Sequence, residues 1–579
     1  LSKPFYIDVY ENGEDIVYWS RDSKGITQHT VPTEDYCYCF QPDNTGSSEY
    51  KDIYGSPMSK MFFKNPWDMR SYAKTRDDLC ESDVKVSQKF MIDEFVDADI
   101  ESPYNVAYWD IEVEFDLSEG KGYPTPDNPF GEINAIQLYL KTENVYAIIL
   151  PLEVKGQVNL VDDIDNIPVE MVWCRNEKEI IEAFVELIDD VDYLTGWFTA
   201  GFDMPYIYKR ACMIFGEKKA KTMFCRGGFP IQVREFTNEF GEEKAEYQLV
   251  GRKQVDMLEL YKKFVPGEKP NFKLDTIVEI ELGESKVDYD DDLGSLYREN
   301  PQKFYEYALH DVRLLKMLDE KIKIIDLAVN MARSSCALLN DVTGSIKMIE
   351  ADLNKFCRVR GIVMPDKKHH EKESYPGAVV YDAISGVHKS VMDVDLVSLY
   401  PKTMMVLNLS PETMIYQLDG SYDDYIKVIT RDDSLGDVKL HIIEKCEYVD
   451  EVVCKPSEVF DMVKENGYTI SGHGTIFNGK PGLLSEYVSE GFDLRSEYKR
   501  LMKVARGNGD DVLEKRYDGY QKVIKVARLN AVYGASGNEF FRFFNINLAS
   551  SITISAQIIS KKQAYEANRN MRFLHESYS

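Results

Sequence analysis

From about residue 102 to residue 325, strand-like runs alternate with helical ones. That alternation restricts the stretch to a sheet with helices packed on it. Within residues 106–115 every odd position from Ala107 to Phe115 is apolar, while Asp110, Glu112 and Glu114 share the other face, which is a strand of period two. The flanking sequence reads differently. Residues 1–101 join short β-rich runs, such as 5–10, to turn clusters, such as 43–46, and form a small, mainly β module. A helical stretch at about 326–360 leads to a turn-rich junction at 374–378, after which new strands are expected. From about 482 to 540 two long helical patterns are separated by residues 506–510, whose glycines and asparagine suit a sharp reversal. With 579 residues the chain requires several cores, three domains or more.

The net charge of -29 argues by itself against a polyanionic ligand. An acidic protein can still bind DNA when its carboxylates hold divalent metals and its basic residues are confined to one groove, so the charge excludes only broad, unspecific contact. The ten cysteines include no C-x-x-C pair, which argues against a zinc site and for a reducing compartment. No apolar run is long enough to span a bilayer and the amino terminus lacks the layout of a signal peptide, so no membrane partner and a cytoplasmic protein are expected. The sequence begins with Leu1 and stops at Ser579 soon after a helical pattern, which raises the expectation of truncation or a split gene.

Three carboxylate motifs carry the chemistry of the alternating region. Asp110 and Glu112, at i and i+2 on one strand face, are spaced to grip hard divalent cations, two of which serve phosphodiester hydrolysis; a solvated edge face is the bland alternative. Asp203 follows Phe202 where a strand-like run gives way to a helical pattern, and could be an N-cap. Tyr307 and Asp311 lie one turn apart on a helix expected to begin near Asn300 and Pro301, where a phenol could orient water beside a metal-bound carboxylate.

In this order and separation, D-x-E, F-D and Y-x-x-x-D resemble the three exonuclease motifs of family B DNA polymerases. The segment 272–277 with 282–286 resembles the family's stretch between the second and third motifs. The resemblance implies metal binding by Asp110, Glu112, Asp203 and Asp311, with Tyr307 positioning water. Many members have Asn where Phe198 stands; an aromatic there suits stacking on a single-stranded base and implies an altered primer grip. The run 232–256 resembles the hairpin with which members part primer from template, an ordinary surface hairpin being the alternative.

A second constellation is similar to the family's polymerase site. The β-like run 391–397 carries Asp393 and Asp395 into a turn ending at Pro401 and resembles motif A, D-x-x-S-L-Y-P. The resemblance implies that Asp395 bridges two metals, that the Leu396 carbonyl binds one of them, and that main chain from Ser398 through Leu399 to Tyr400 holds the triphosphate. Tyr400 would also exclude a ribose 2′-hydroxyl. Lys402 replaces a usual Ser. On the helical hairpin Arg495 and Lys499, one turn apart, would present two cations to a phosphate chain. Residues 525–534 resemble motif B, K-x-x-x-N-S-x-Y-G, and assign Lys525, Asn530 and Tyr533 to nucleotide binding. Ala531 replaces Ser, and Lys525 stands five residues before Asn530 instead of four, about 100° off the expected face of a regular helix. A π-bulge between them would restore the facing. Residues 554–579 contain no aspartate, so motif C, the D-T-D hairpin that supplies the second metal-binding aspartate, is expected from missing sequence or a partner chain.

The fold class expected is multidomain α/β and α+β: a β-rich amino-terminal domain, an RNase H-like 3′-5′ exonuclease domain, and a partial palm with two-helix fingers. The expected bounds are 1–101 amino-terminal, 102–330 exonuclease, 331–374 a return to the amino-terminal domain with a linker, 375–481 palm, 482–540 fingers and 541–579 incomplete palm. The function implied is that of the amino-terminal part of a family B DNA polymerase with a proofreading exonuclease, most similar to the T-even-like phage members. Mg2+ is the implied cofactor, with Mn2+ as the alternative. The implied partners are primer-template DNA, single-stranded 3′ ends, deoxynucleoside triphosphates, replisome proteins and a second chain carrying motif C and thumb; a phage-encoded protein would act in the host cytoplasm. The competing readings are a DNA-binding scaffold with vestigial sites and a stand-alone 3′-5′ exonuclease.

Overall fold

The computed structural model of the chain describes residues 3–115, 122–159, 161–237, 241, 243–284, 293–382, 385–387 and 395–578. Its contacts divide it into two compact units: residues 1–36 with 86–343, and 37–85 with 344–579. The stretch 1–101, read as one β-rich module, thus contributes to both. It is β-rich, with helices at Pro66–Ala73 and Val86–Phe95.

The first unit is built on a seven-stranded mixed sheet. Its strands are β1 (Val106–Val113), β2 (Ile133–Leu140), β3 (Val145–Pro151), β4 (Asp163–Ile164), β5 (Ile167–Cys174), β6 (Tyr193–Gly196) and β7 (Lys253–Asp256), in the order β4-β5-β3-β2-β1-β6-β7. β1 pairs antiparallel with β2 and parallel with β6, so it lies inside the sheet. Both faces of β1 are covered. The Trp109 ring stacks at 5.0 Å on Phe184 of the helix Glu177–Leu187, and on the opposite face the Tyr108 hydroxyl donates to Asp319 Oδ2 at 2.5 Å. The solvated edge face allowed by the alternation is therefore not what forms. An interior strand of this kind is buried on both sides.

Two helices bring side chains to β1. Helix α1 (Asp203–Phe215) starts just beyond β6, and helix α2 (Pro301–Ile322) starts where expected, with Asn300 Oδ1 accepting the Lys303 amide at 3.1 Å as its N-cap. A three-stranded sheet, Tyr6–Asn12, Asp15–Asp22 and Gly25–Pro32, belongs to the same unit. Arg21 of this sheet reaches the fully buried Asp192 at 2.5 Å, and Arg226 binds the other Asp192 oxygen at 2.8 Å. The buried charge is thus paired on both sides.

In the second unit a five-stranded sheet runs in the order Glu447–Cys454, Val438–Glu444, Met414–Leu418, Thr475–Phe477, Thr469–Ile470. A four-stranded sheet is made of Ile362–Val363, Tyr50–Asp52, Pro57–Phe62 and Tyr38–Pro42. The junction 374–378 has no regular secondary structure. The first element described after it is helix α3 (Leu399–Leu407), not a strand; the expected strand 391–397 falls largely outside the described residues, as does Asp393. The helical hairpin forms as anticipated: α4 (Leu483–Gly507) and α5 (Asp511–Val523) are joined by a turn in which Gly509 has φ 71° and Asp510 Oδ1 caps Leu513 at 3.0 Å. A π-helical segment, Ile524–Leu529, leads to α6 (Ala531–Ser536), and α7 (Ile546–Tyr578) follows. Among the described residues no helix is long and apolar enough to cross a membrane.

Candidate active sites

Carboxylate oxygens of Asp110, Glu112 and Asp311 lie within 4.8 Å of one another. The period-two alternation of β1 directs Asp110 and Glu112 to one face, and α2 packs on that face with Asp311 turned toward them. Glu112 and Asp311 are buried and Asp110 is half-buried. Three acidic groups gathered in a poorly solvated place repel one another, and a divalent cation offsets that repulsion. Oxygen donors at this spacing fit a hard ion such as Mg2+ or Mn2+ better than zinc.

Asp203 is the first residue of α1, and Phe202 occupies the cap position without a side-chain bond, so Asp203 is not the N-cap that the sequence allowed. Its carboxylate turns back to β1, where Oδ1 accepts the Ile111 amide at 3.2 Å. Burial first, and the neighbouring Asp110 charge second, push the Asp203 carboxyl well above the usual carboxylate range. A bound cation would reverse that shift. Tyr307 is buried one turn before Asp311 on the same helix.

Sequence reasoning missed Gln137. From β2, fully buried, its Nε2 donates to Asp110 Oδ2 and to Glu112 Oε1, both at 3.2 Å. The amide nitrogen must face this pair, because its oxygen would repel both carboxylates. The only available signal was the antiparallel register, which sets Gln137 opposite Asp110, and register is not written in either strand alone. Asp256 was missed too. At the end of β7 it accepts the amides of Phe198 at 3.1 Å, Ala200 at 3.0 Å and Leu258 at 2.9 Å, and so shapes the loop before α1.

A cavity of about 470 Å³ opens on the acidic cluster, with Asp110 and Asp311 in its wall beside Trp197, Phe198, Phe272 and Lys273. The hairpin expected in 232–256 forms from Gln232–Thr237 and Glu243–Gln248; residues 238–240 and 242 lie outside the described residues.

In the second unit Asp395 is exposed and Leu396 half-buried, and Ser398, in the left-handed region at φ 57°, precedes α3. Asp395, Leu396 and Lys402 line a cavity of about 490 Å³, otherwise mostly apolar, with Leu399, Ile470 and Ile558 in its wall. The rings of Tyr400 and Tyr533 stack at 4.4 Å and 14°, which joins the two segments that resemble motifs A and B directly.

The five-residue spacing from Lys525 to Asn530 falls in the π-helical segment, where the Asn530 amide donates to the Lys525 carbonyl at 3.0 Å. The extra residue is absorbed there. Desolvation, followed by the charges of Arg495, Lys525 and Lys503, holds the Lys499 ammonium below its usual range. Arg495 and Lys525 therefore each lie near enough to Lys499 for its charge to feel theirs. Asn530 is exposed at the end of the segment.

Two family models and several known proteins match the chain. Residues 339–577 match the model of DNA polymerase family B, and residues 64–277 match DNA polymerase family B, exonuclease domain. The chain is 26% identical to the DNA-directed DNA polymerase of Escherichia phage RB69, over 96% of this chain and 65% of that protein. It is equally 26% identical to the DNA-directed DNA polymerase of Enterobacteria phage T4, over 96% of this chain and 66% of that protein. The DNA polymerase delta catalytic subunit of Arabidopsis thaliana is 26% identical over 66% of this chain and 33% of its own length. The chain therefore spans a little under two thirds of the length of its phage relatives. The two matched stretches do not overlap and together take in most of the chain, which belongs to DNA polymerase family B.

Proposed function

We propose that this chain carries the proofreading 3′-to-5′ exonuclease of a DNA-directed DNA polymerase together with part of its polymerase site. The observation that carries the proposal is the gathering of Asp110, Glu112 and Asp311 within 4.8 Å, on a cavity wall that also holds aromatic residues. Asp110, Glu112, Asp203 and Asp311 hold the divalent ions, Mg2+ by preference and Mn2+ as the alternative. Two such ions, when bound, supply activation of the attacking water and stabilisation of the leaving 3′ oxygen. Tyr307 orients that water through its hydroxyl. Gln137 keeps the Asp110 and Glu112 carboxylates in register, and the cavity takes the single-stranded 3′ end.

In the second unit Asp395 and the Leu396 carbonyl hold metal, and main chain from Ser398 through Leu399 to Tyr400 receives the triphosphate. Arg495, Lys499 and Lys525 neutralise its charge, with Asn530 and Tyr533 completing the nucleotide site. The second aspartate of this site comes from motif C, on sequence for which the greater length of the relatives leaves room, or on a second chain that also carries the thumb. On this reading the seven-stranded unit is RNase H-like and α4 and α5 are the fingers, between palm segments 375–481 and 541–579. Partners are primer-template DNA, deoxynucleoside triphosphates and replisome proteins, in the host cytoplasm if a phage encodes the chain.

The test is degradation of a 5′-labelled, 3′-mispaired primer-template in Mg2+ by the chain, by Asp110→Ala and by Asp203→Ala, with and without nucleotides. Stepwise loss from the 3′ end, abolished in both variants, is the expected result. Binding without degradation would overturn the exonuclease reading in favour of a DNA-binding scaffold.

A further inference from the structure

Phe198 stands in the cavity wall and is 52% exposed. Its backbone lies in the left-handed region at φ 66°, which a bulky aromatic residue rarely adopts. Such strain persists only where the surroundings over-determine it, and here they do. The Phe198 amide donates to Asp256 Oδ1 at 3.1 Å and the Ala200 amide to Asp256 Oδ2 at 3.0 Å, and the Phe198 carbonyl accepts the amides of Gly201 and Phe202, both at 3.0 Å. Beneath the ring is Gly201, where a Cβ would run into the ring itself. The loop is thus built to seat one aromatic residue, yet leaves it exposed.

The same cavity presents Asp110 and Asp311. Their charge opposes a phosphate backbone, so a nucleic acid entering here gains from contacts other than electrostatic attraction to the protein. A seated, exposed aromatic face supplies one, because every base has a π-face to stack on it. Trp197, fixed by its Nε1 donating to the Phe272 carbonyl at 3.0 Å, and Phe272 itself extend the apolar wall.

We infer that Phe198 is a preorganised platform on which the base of the 3′-terminal nucleotide stacks, so that the exonuclease requires a base, of any identity, on the residue it removes. The inference rests on the exonuclease reading above. It assigns Phe198 to substrate recognition and not to the chemical step, and it predicts selectivity against termini that have lost their base.

The experiment is a cycle between protein and substrate. Steady-state trimming in Mg2+ is measured for the chain and for Phe198→Ala, on single-stranded oligonucleotides ending in an ordinary nucleotide or in an abasic tetrahydrofuran unit. For the unaltered chain the abasic end should raise KM about tenfold with kcat little changed. Phe198→Ala should raise KM by a similar factor on the ordinary end, with no further loss on the abasic end. If the two penalties multiply, or if Phe198→Ala leaves KM unchanged, the platform does not exist. Phe198→Asn provides a second variant should the first fail to fold, since Asn tolerates the left-handed backbone; Phe198→Trp should retain the base requirement. A chain that trims nothing would defeat the exonuclease reading instead. The platform is then judged by fluorescence anisotropy of the same oligonucleotides in Ca2+, where the same cycle must appear and additive effects would overturn it.

Discussion

Gln137 shows how one side chain sets a site it does not itself form. Its amide bridges Asp110 and Glu112 at 3.2 Å each, and the two carboxylates would otherwise diverge under their mutual repulsion. Gln137→Met keeps the volume and removes both donors. The half-saturating Mg2+ concentration for 3′ trimming should rise about 10- to 100-fold, with little change in the thermal midpoint, as a metal titration at saturating DNA would measure. The candidate site residues were legible in the sequence because each sits in a local pattern: alternation for Asp110 and Glu112, a strand-to-helix change for Asp203, one helical turn for Tyr307 and Asp311. Gln137 and Asp256 were not legible. Their partners lie on other elements, and no local pattern distinguishes a bridging amide or a loop-holding carboxylate from any other polar residue.

At the scale of elements, the spacing between strands matters as much as their existence. In β6, Gly196 lies so close to β1 that a Cβ would run into the Trp109 carbonyl, and would come within 2.5 Å of the Thr199 side chain. Gly196→Ala should push β6 away from the strand that carries Asp110, at a cost of about 1–3 kcal/mol, read as a lower denaturant midpoint with unchanged slope. Trimming should fall with it. The π-helical segment is a second element whose geometry decides a site. Deleting Val526 gives the four-residue spacing on a regular helix and should leave triphosphate binding intact, whereas inserting an alanine there turns Lys525 by about 100° from its face and should weaken it. Equilibrium titration of a nucleotide onto the chain with primer-template checks both. The spacing anomaly was visible in the sequence; the bulge that answers it depends on Asn530 bonding five residues back, a choice made by packing around the hairpin.

At the scale of the molecule, a chain of net charge -29 should respond to pH through its buried carboxyls. In the second unit Asp366 Oδ1 accepts the Ser82 amide at 2.7 Å, and burial raises its carboxyl to about 6. The folded state therefore holds this proton more tightly than the unfolded chain. Its contribution is complete below the unfolded value near 4 and is lost as pH rises through about 6. The contribution of this group to stability should thus fall between pH 4 and 6, by at most about 3 kcal/mol, and Asp366→Asn should remove that component from urea titrations at a series of pH values. Sequence alone determined the family, the class of chemistry and the main metal-ligand candidates, because motif spacing and period-two or helical alternation are local properties of a chain. It did not determine that the first 101 residues divide between two units, that β1 is interior, or which amide bridges the carboxylates. Those outcomes depend on strand order, register and burial, which arise only when distant segments compete for the same partners, and so only the tertiary structure could decide them.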